Sequence, residues 1–152
     1  MAKKEAQSRI TPKLIDSLYV EAMVLADEAR SYFDRQGRED RLALDPIERV
    51  GFSCESLKVT TRLMQIVAWL LTQRAVEAGE ITLAQARAPH RRLGDSPESD
   101  PLLVEKLPDT AISLVHASQE LFARVRRVEE GSGTEPQASP ARSLLSRLER
   151  SF

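Results

Sequence analysis

Between Gly51 and Gly79 the chain contains neither proline nor glycine, and over that stretch apolar residues recur at steps of three and four on two sides of a helix. Ile47, Val50, Cys54, Leu57, Thr61, Met64, Ala68, Leu71 and Ala75 form one row. Its heptad-like spacing lets a helix keep one seam against its neighbours along its whole length. Phe52, Val59, Leu63, Ile66 and Leu70 form a second row on a different side. A helix with two apolar faces is central, buried between other helices or partly against a second subunit. Its start is signalled by Asp45-Pro46-Ile47-Glu48, with an N-cap residue, proline at the first helical position and an acid three residues after the cap. The predicted helix runs for about 30 residues, or about 45 Å.

The most apolar part of this helix, Leu63 to Leu71, is interrupted only by Gln65 and bracketed by Arg62 and Gln73–Arg74. A membrane-spanning helix needs about 20 mostly apolar residues, so this surface meets protein. Two occupants fit: the core of a monomer, or a second copy related by two-fold symmetry.

Two further helical patterns flank it. The first starts at Thr11–Pro12, cap and first-turn proline. It carries the stripe Leu14, Leu18, Ala22, Leu25, Ala29 and Phe33, flanked by Ile15, Tyr19 and Ala26, and Gly37 falls just past its expected end. "GREDRLAL" reads as a polar connection. After Gly79, Thr82 and Gln85 can cap a short turn to about Ala88, where Pro89 stops it. Gly94 to Pro101 reads as a solvated linker. The last helix starts near Pro108–Asp109 with the stripe Ala111, Leu114, Val115, Ser118, Leu121, Phe122, Val125 and Val128, and ends before Gly131.

The expected architecture is therefore all-α. A three-helix bundle with a long central helix spans residues 11–130, preceded by a flexible N-terminus over residues 1–10. Residues 131–152 form a disordered tail, opening with the linker-like "GSGTEPQASPA". In "RSLLSRLERSF", Leu144, Leu145, Leu148 and Phe152 share a face if the segment becomes helical, although so short a helix is marginal alone. The segment is either a docking peptide or a helix that returns to the bundle.

Chemistry-bearing patterns are sparse. With one cysteine and two histidines among 152 residues, a Cys/His zinc site or an internal disulfide is excluded in practice. The charged start "MAKKEAQSRI" lacks the apolar core of a signal peptide, and with the single cysteine it points to a reducing cytoplasm. His90 and His116 match no metal or catalytic spacing, Cys54 packs on the apolar seam as a small hydrophobe, and no phosphate-cradling loop occurs. Glu55, Lys58 and Arg62 are spaced as helix-surface charges. A net charge of −1 gives no overall field for nucleic acid. Arg87, Arg91 and Arg92, and Arg124, Arg126 and Arg127, are the local basic clusters, each followed closely by acidic residues. They leave a dimeric helical nucleic-acid-binding regulator as the rival function.

"ESLKVTTRLMQIVAWLLTQRAVEAGEITLAQA", residues Glu55 to Ala86, resembles the signature helix of the alphaproteobacterial regulator-of-CtrA-degradation family, RcdA. The family shows an E-S-(M/L)-(R/K)-(L/V)-T-T-R-L-M-Q core followed by a W-L-L-x-Q-R-A-V-x-x-G-E-(M/I)-T run. "LYVEAMVLADEARSYFDRQG" and "ARVRRVEE" add support. The resemblance implies a dimerising three-helix bundle without catalysis or cofactor. It implies an adaptor for the ClpXP protease that works with a response-regulator-like priming protein and a cyclic-di-GMP-binding co-adaptor to deliver cell-cycle regulators. On that reading Leu63, Ile66, Trp69 and Leu70 are the expected dimer or cargo surface, and Leu144, Leu145, Leu148 and Phe152 the expected tail docking residues.

Overall fold

The computed structural model describes the backbone of residues 2–133 and the side chains of residues 12–131. Its elements are α1 (Ala2–Asp34), α2 (Gln36–Leu42), α3 (Pro46–Glu77), α4 (Leu83–Ala86), a 3-10 turn (Pro89–Arg91), α5 (Pro101–Val104) and α6 (Asp109–Gly133). Among the described residues there are no strands. The three long helices α1, α3 and α6 form the expected bundle.

α1 and α3 pack antiparallel. Asp16 pairs with Arg74 at 3.2 Å at one end of the contact, and the rings of Phe33 and Phe52 meet edge-to-face at 5.6 Å at the other. α6 runs parallel to α3, since Ser118 meets Arg62 near the middle while Glu129 lines a pocket with Trp69 further on. The core takes Ile15, Leu18, Ala22 and Ala29 from α1, Val59, Ile66 and Leu70 from α3, and Ala111, Val115, Leu121 and Val125 from α6. The α6 stripe faces inward as its periodicity predicts. Val59, Ile66, Val115 and Val125 are completely shielded, and burying such a side chain contributes about 1.5–3 kcal/mol.

Local signals held where side chain and backbone act within a few residues. Asp45 accepts from the Glu48 amide at 2.9 Å to start α3. Thr82 and Gln85 close a reciprocal capping box on α4 at 3.0 and 2.8 Å.

Other boundaries differ. The start expected at Thr11–Pro12 lies inside α1, whose backbone is helical from Ala2. The connection after α1 is itself a helix, because Arg35 (φ −120°, ψ −93°) breaks the chain for one residue and α2 restarts at Gln36. Gly37 is therefore not a helix terminator: a Cβ there would lie 2.8 Å from the Tyr32 carbonyl oxygen, so the close approach of α2 to α1 requires glycine. Tyr32 closes this corner by donating its hydroxyl to Asp40 at 2.6 Å.

Candidate interaction surface

α3 presents its two apolar rows to opposite environments, and the assignment reverses the expected one. Leu63, Ile66, Trp69 and Leu70 are all buried, with at most 5% of their surface exposed, within the core of a single chain. They belong to the hydrophobic core, and Leu63 also lines the apolar groove between α1 and α3. The heptad-like row faces outward instead. Val50, Leu57, Met64 and Leu71 keep 47–67% of their surface exposed, with Ile47 more exposed still. Cys54, Thr61 and Ala68, which alternate with them, are exposed too, so Cys54 is not the core hydrophobe expected.

The outward row carries large apolar side chains every seven residues, separated by small ones. That is the spacing of a helix that pairs with another helix along a seam. Beside it, between α1 and α3, lies an apolar groove of about 640 Å³. Ala26, Arg30 and Phe33 form its α1 wall, and Thr60, Val67, Met64, Ala68 and Leu71 its α3 wall. Met64, Ala68 and Leu71 thus belong to both the seam and the groove.

The inner side of α3 holds a polar centre that side-chain spacing alone did not show. Arg62 is fully buried. Its Nη1 donates to Ser118 Oγ at 3.2 Å, and its Nη2 donates to the Pro97 carbonyl at 2.9 Å and to Ser99 Oγ at 2.7 Å. Its Nε reaches Ser96 Oγ at 3.3 Å. Ser99 in turn donates to Glu55 Oε1 at 2.5 Å, and Lys58 pairs with Glu55 Oε2 at 3.0 Å. The expected Glu55–Lys58 pair forms, but Glu55 is itself buried and Arg62 points inward. Burial pulls the Arg62 guanidinium below its ordinary pKa, and the Glu55 charge opposes that shift.

These bonds pin residues 93–99 across α3 and α6. Gln65 donates to the Asp95 carbonyl at 2.9 Å, Arg126 donates to the Gly94 carbonyl, and Glu129 accepts from the Leu93 amide at 2.9 Å. What reads as a solvated linker is a strap. It fixes α6 relative to α3, and so fixes the outer face on which the seam sits.

The remaining candidates are surface residues. His90 and His116 are exposed. Arg124 forms a two-pronged pair with Glu21 at 2.6 and 2.9 Å, which raises its already high pKa, and Arg126 serves the strap. Among the described residues no helix is long and apolar enough to cross a membrane, and no group of three or more His, Cys, Asp or Glu is placed to hold a metal ion. The tail residues Leu144, Leu145, Leu148 and Phe152 lie outside the described residues.

Comparison with known proteins places this architecture. A family profile described as "Protein of unknown function (DUF1465)" matches residues 6–152. The crystal structure of RcdA from Caulobacter crescentus superposes with a TM-score of 0.67 at 35% sequence identity, covering 80% of this chain and 93% of that one. The chain belongs to the DUF1465 family, the family of RcdA. No curated protein matches it. The resemblance carried by the Glu55–Ala86 stretch is thereby shown, and the RcdA-family motif acquires physical content. Its Glu55 and Arg62 build the polar centre, its Trp69 and Leu70 build the core, and its Met64 and Leu71 stay outside.

Proposed function

We propose that this RcdA-family chain is a non-catalytic adaptor that delivers cell-cycle regulators to the ClpXP protease by holding cargo and co-adaptors on its surface. The observation that carries the reading is the exposed heptad row Val50, Leu57, Met64 and Leu71 on a helix whose opposite face is locked into the core. Monomeric proteins rarely leave so continuous an apolar strip in water without a partner. Tethering substrate beside a protease raises its effective concentration without new bond-breaking chemistry, which matches a molecule built from docking faces.

The same strip is the proposed surface for pairing with a second copy, in place of Leu63, Ile66, Trp69 and Leu70. The priming response-regulator-like protein and the cyclic-di-GMP-binding co-adaptor are the proposed further partners. A nucleic-acid-binding role draws less support, because Arg124 is committed to Glu21 and Arg126 to the strap.

The test is a reconstituted ClpXP degradation assay with a cell-cycle regulator and the priming and co-adaptor proteins, with and without this chain. Faster loss of the regulator when the chain is added supports delivery. Unchanged loss, with the chain folded and the protease active on a control substrate, contradicts it.

A further inference from the structure

We infer that the pocket where α3, α4 and α6 meet docks an acidic segment of a partner protein. It takes one apolar side chain of that segment, and the arginines within residues 87–92 hold the carboxylates beside it. Three observations carry this.

The pocket has the size of a side chain. It encloses about 200 Å³, below the roughly 300–1,000 Å³ of sites that take a whole small molecule. The buried Trp69 and Ala86 and the exposed Leu83 form its apolar part. Gln73, Arg87, Arg92 and Glu129 form the polar part.

Its charge is positive. Arg87 and Arg92 line it against the one carboxylate of Glu129, whose Oε2 already accepts from the Leu93 amide at 2.9 Å. Among the described residues Arg92 has no ion-pair partner. Arg91, the residue before it, adds a third guanidinium, its Nε donating to His90 at 3.3 Å. The acids that follow in sequence act elsewhere: Asp95 and Glu98 line a separate pocket with Arg126, and Asp100 accepts from the Leu102 amide at 2.9 Å. Glu77, Glu80 and Glu130 do not line the Trp69 pocket either. Guanidinium groups bind carboxylates through charge-assisted hydrogen bonds, and acidic motifs are read by arginine clusters in this way.

The frame is set before a partner arrives. The buried Ala86 and Leu93 anchor the two ends of residues 87–92, and the Thr82–Gln85 capping box fixes α4. A loop already held in place loses less freedom on binding. Nucleic acid fits less well: Trp69 is too buried to offer a face on which a base could stack, and Glu129 repels phosphate.

Trp69 is the chain's one tryptophan, so the emission of the full chain reads the pocket. The probes are acetyl-Asp-Glu-Leu-Glu-Asp-amide and its counterparts with methionine or phenylalanine at the centre. The expected result is a saturable change in emission with at least one of them. Binding should weaken by about ten-fold or more when Asn and Gln replace the acids, and likewise in Arg92→Gln. Leu83→Ser should weaken it through the apolar half; Arg92 and Leu83 are both exposed, so neither change disturbs the core. No saturable change with any of the three peptides overturns the proposal, as does undiminished binding of the neutral peptides or by Arg92→Gln. Saturation by an oligothymidylate instead gives the pocket to nucleic acid and overturns it too. No protease enters the titration, so its failure leaves the delivery reading standing, and failed delivery does not bear on it.

Discussion

The buried guanidinium of Arg62 donates to the backbone carbonyl of Pro97, a residue 35 positions further along the chain. Helix α3, strap and α6 meet at this point, since the same side chain also holds Ser99 and Ser118. Removing one partner of a buried charged network leaves the others desolvated and unpaired, at a cost of about 3–5 kcal/mol. Arg62→Met should lower stability by about 3 kcal/mol in urea unfolding. It should also accelerate amide exchange of residues 93–99 far more than that of α1. Ser99→Ala, which deletes one hydroxyl, should cost about 1 kcal/mol.

Two glycines predict opposite responses to alanine. At Gly37 the new Cβ would strike the Tyr32 backbone carbonyl, and relieving such a contact costs about 1–3 kcal/mol. At Gly51, inside α3, a Cβ meets nothing within 4 Å, so the substitution should stabilise by about 0.5–1 kcal/mol through helix propensity. Thermal unfolding of the two variants checks both signs.

The Tyr32–Asp40 pair sets a pH window. The hydrogen bond from Tyr32, followed by that from Gln36, holds the Asp40 carboxyl below its ordinary pKa. Burial, then the bond to Asp40, pushes the Tyr32 phenol well above its own. By linkage, the Asp40 contribution is present above the ordinary carboxylate pKa and is lost as pH falls through the depressed folded value. The Tyr32 contribution is present below the ordinary phenol pKa and is lost as pH rises toward its raised folded value. NMR titration of Tyr32→Phe should show Asp40 moving up toward the ordinary carboxylate range. An Asp40 pKa unmoved by the substitution would mean that the tyrosine does not hold it.

How far the sequence reveals the molecule depends on how local each signal is. The caps at Asp45 and Thr82 and the single stripe of α6 were legible, because one face or one hydrogen bond within four residues decides them. α3 was legible as a long helix but not in its orientation. Both rows are apolar, and periodicity gives an angle between faces without saying which one is inside. The residues that could have decided it are Trp69, too large to leave in water, and the outward row's small Cys54, Thr61 and Ala68. Arg62 was illegible for a different reason. Its partners Ser96, Pro97 and Ser99 lie 34 to 37 residues away, so helical spacing shows only its charged neighbours on α3. The candidate site follows the same face: Leu63, Ile66, Trp69 and Leu70 are buried in the core, and the exposed row of Leu57 and Met64 is the proposed interaction surface.

The most direct test of that surface is the degradation assay repeated with the Leu57→Asp, Met64→Asp variant, with circular dichroism confirming the fold. Both side chains are about two-thirds exposed (67% and 66%), so charges there leave the core intact. The account predicts a folded chain that self-associates weakly and loses accelerated delivery by ten-fold or more, about 1.4 kcal/mol of lost binding or greater. A folded variant that self-associates and delivers as well as the unaltered chain would contradict it.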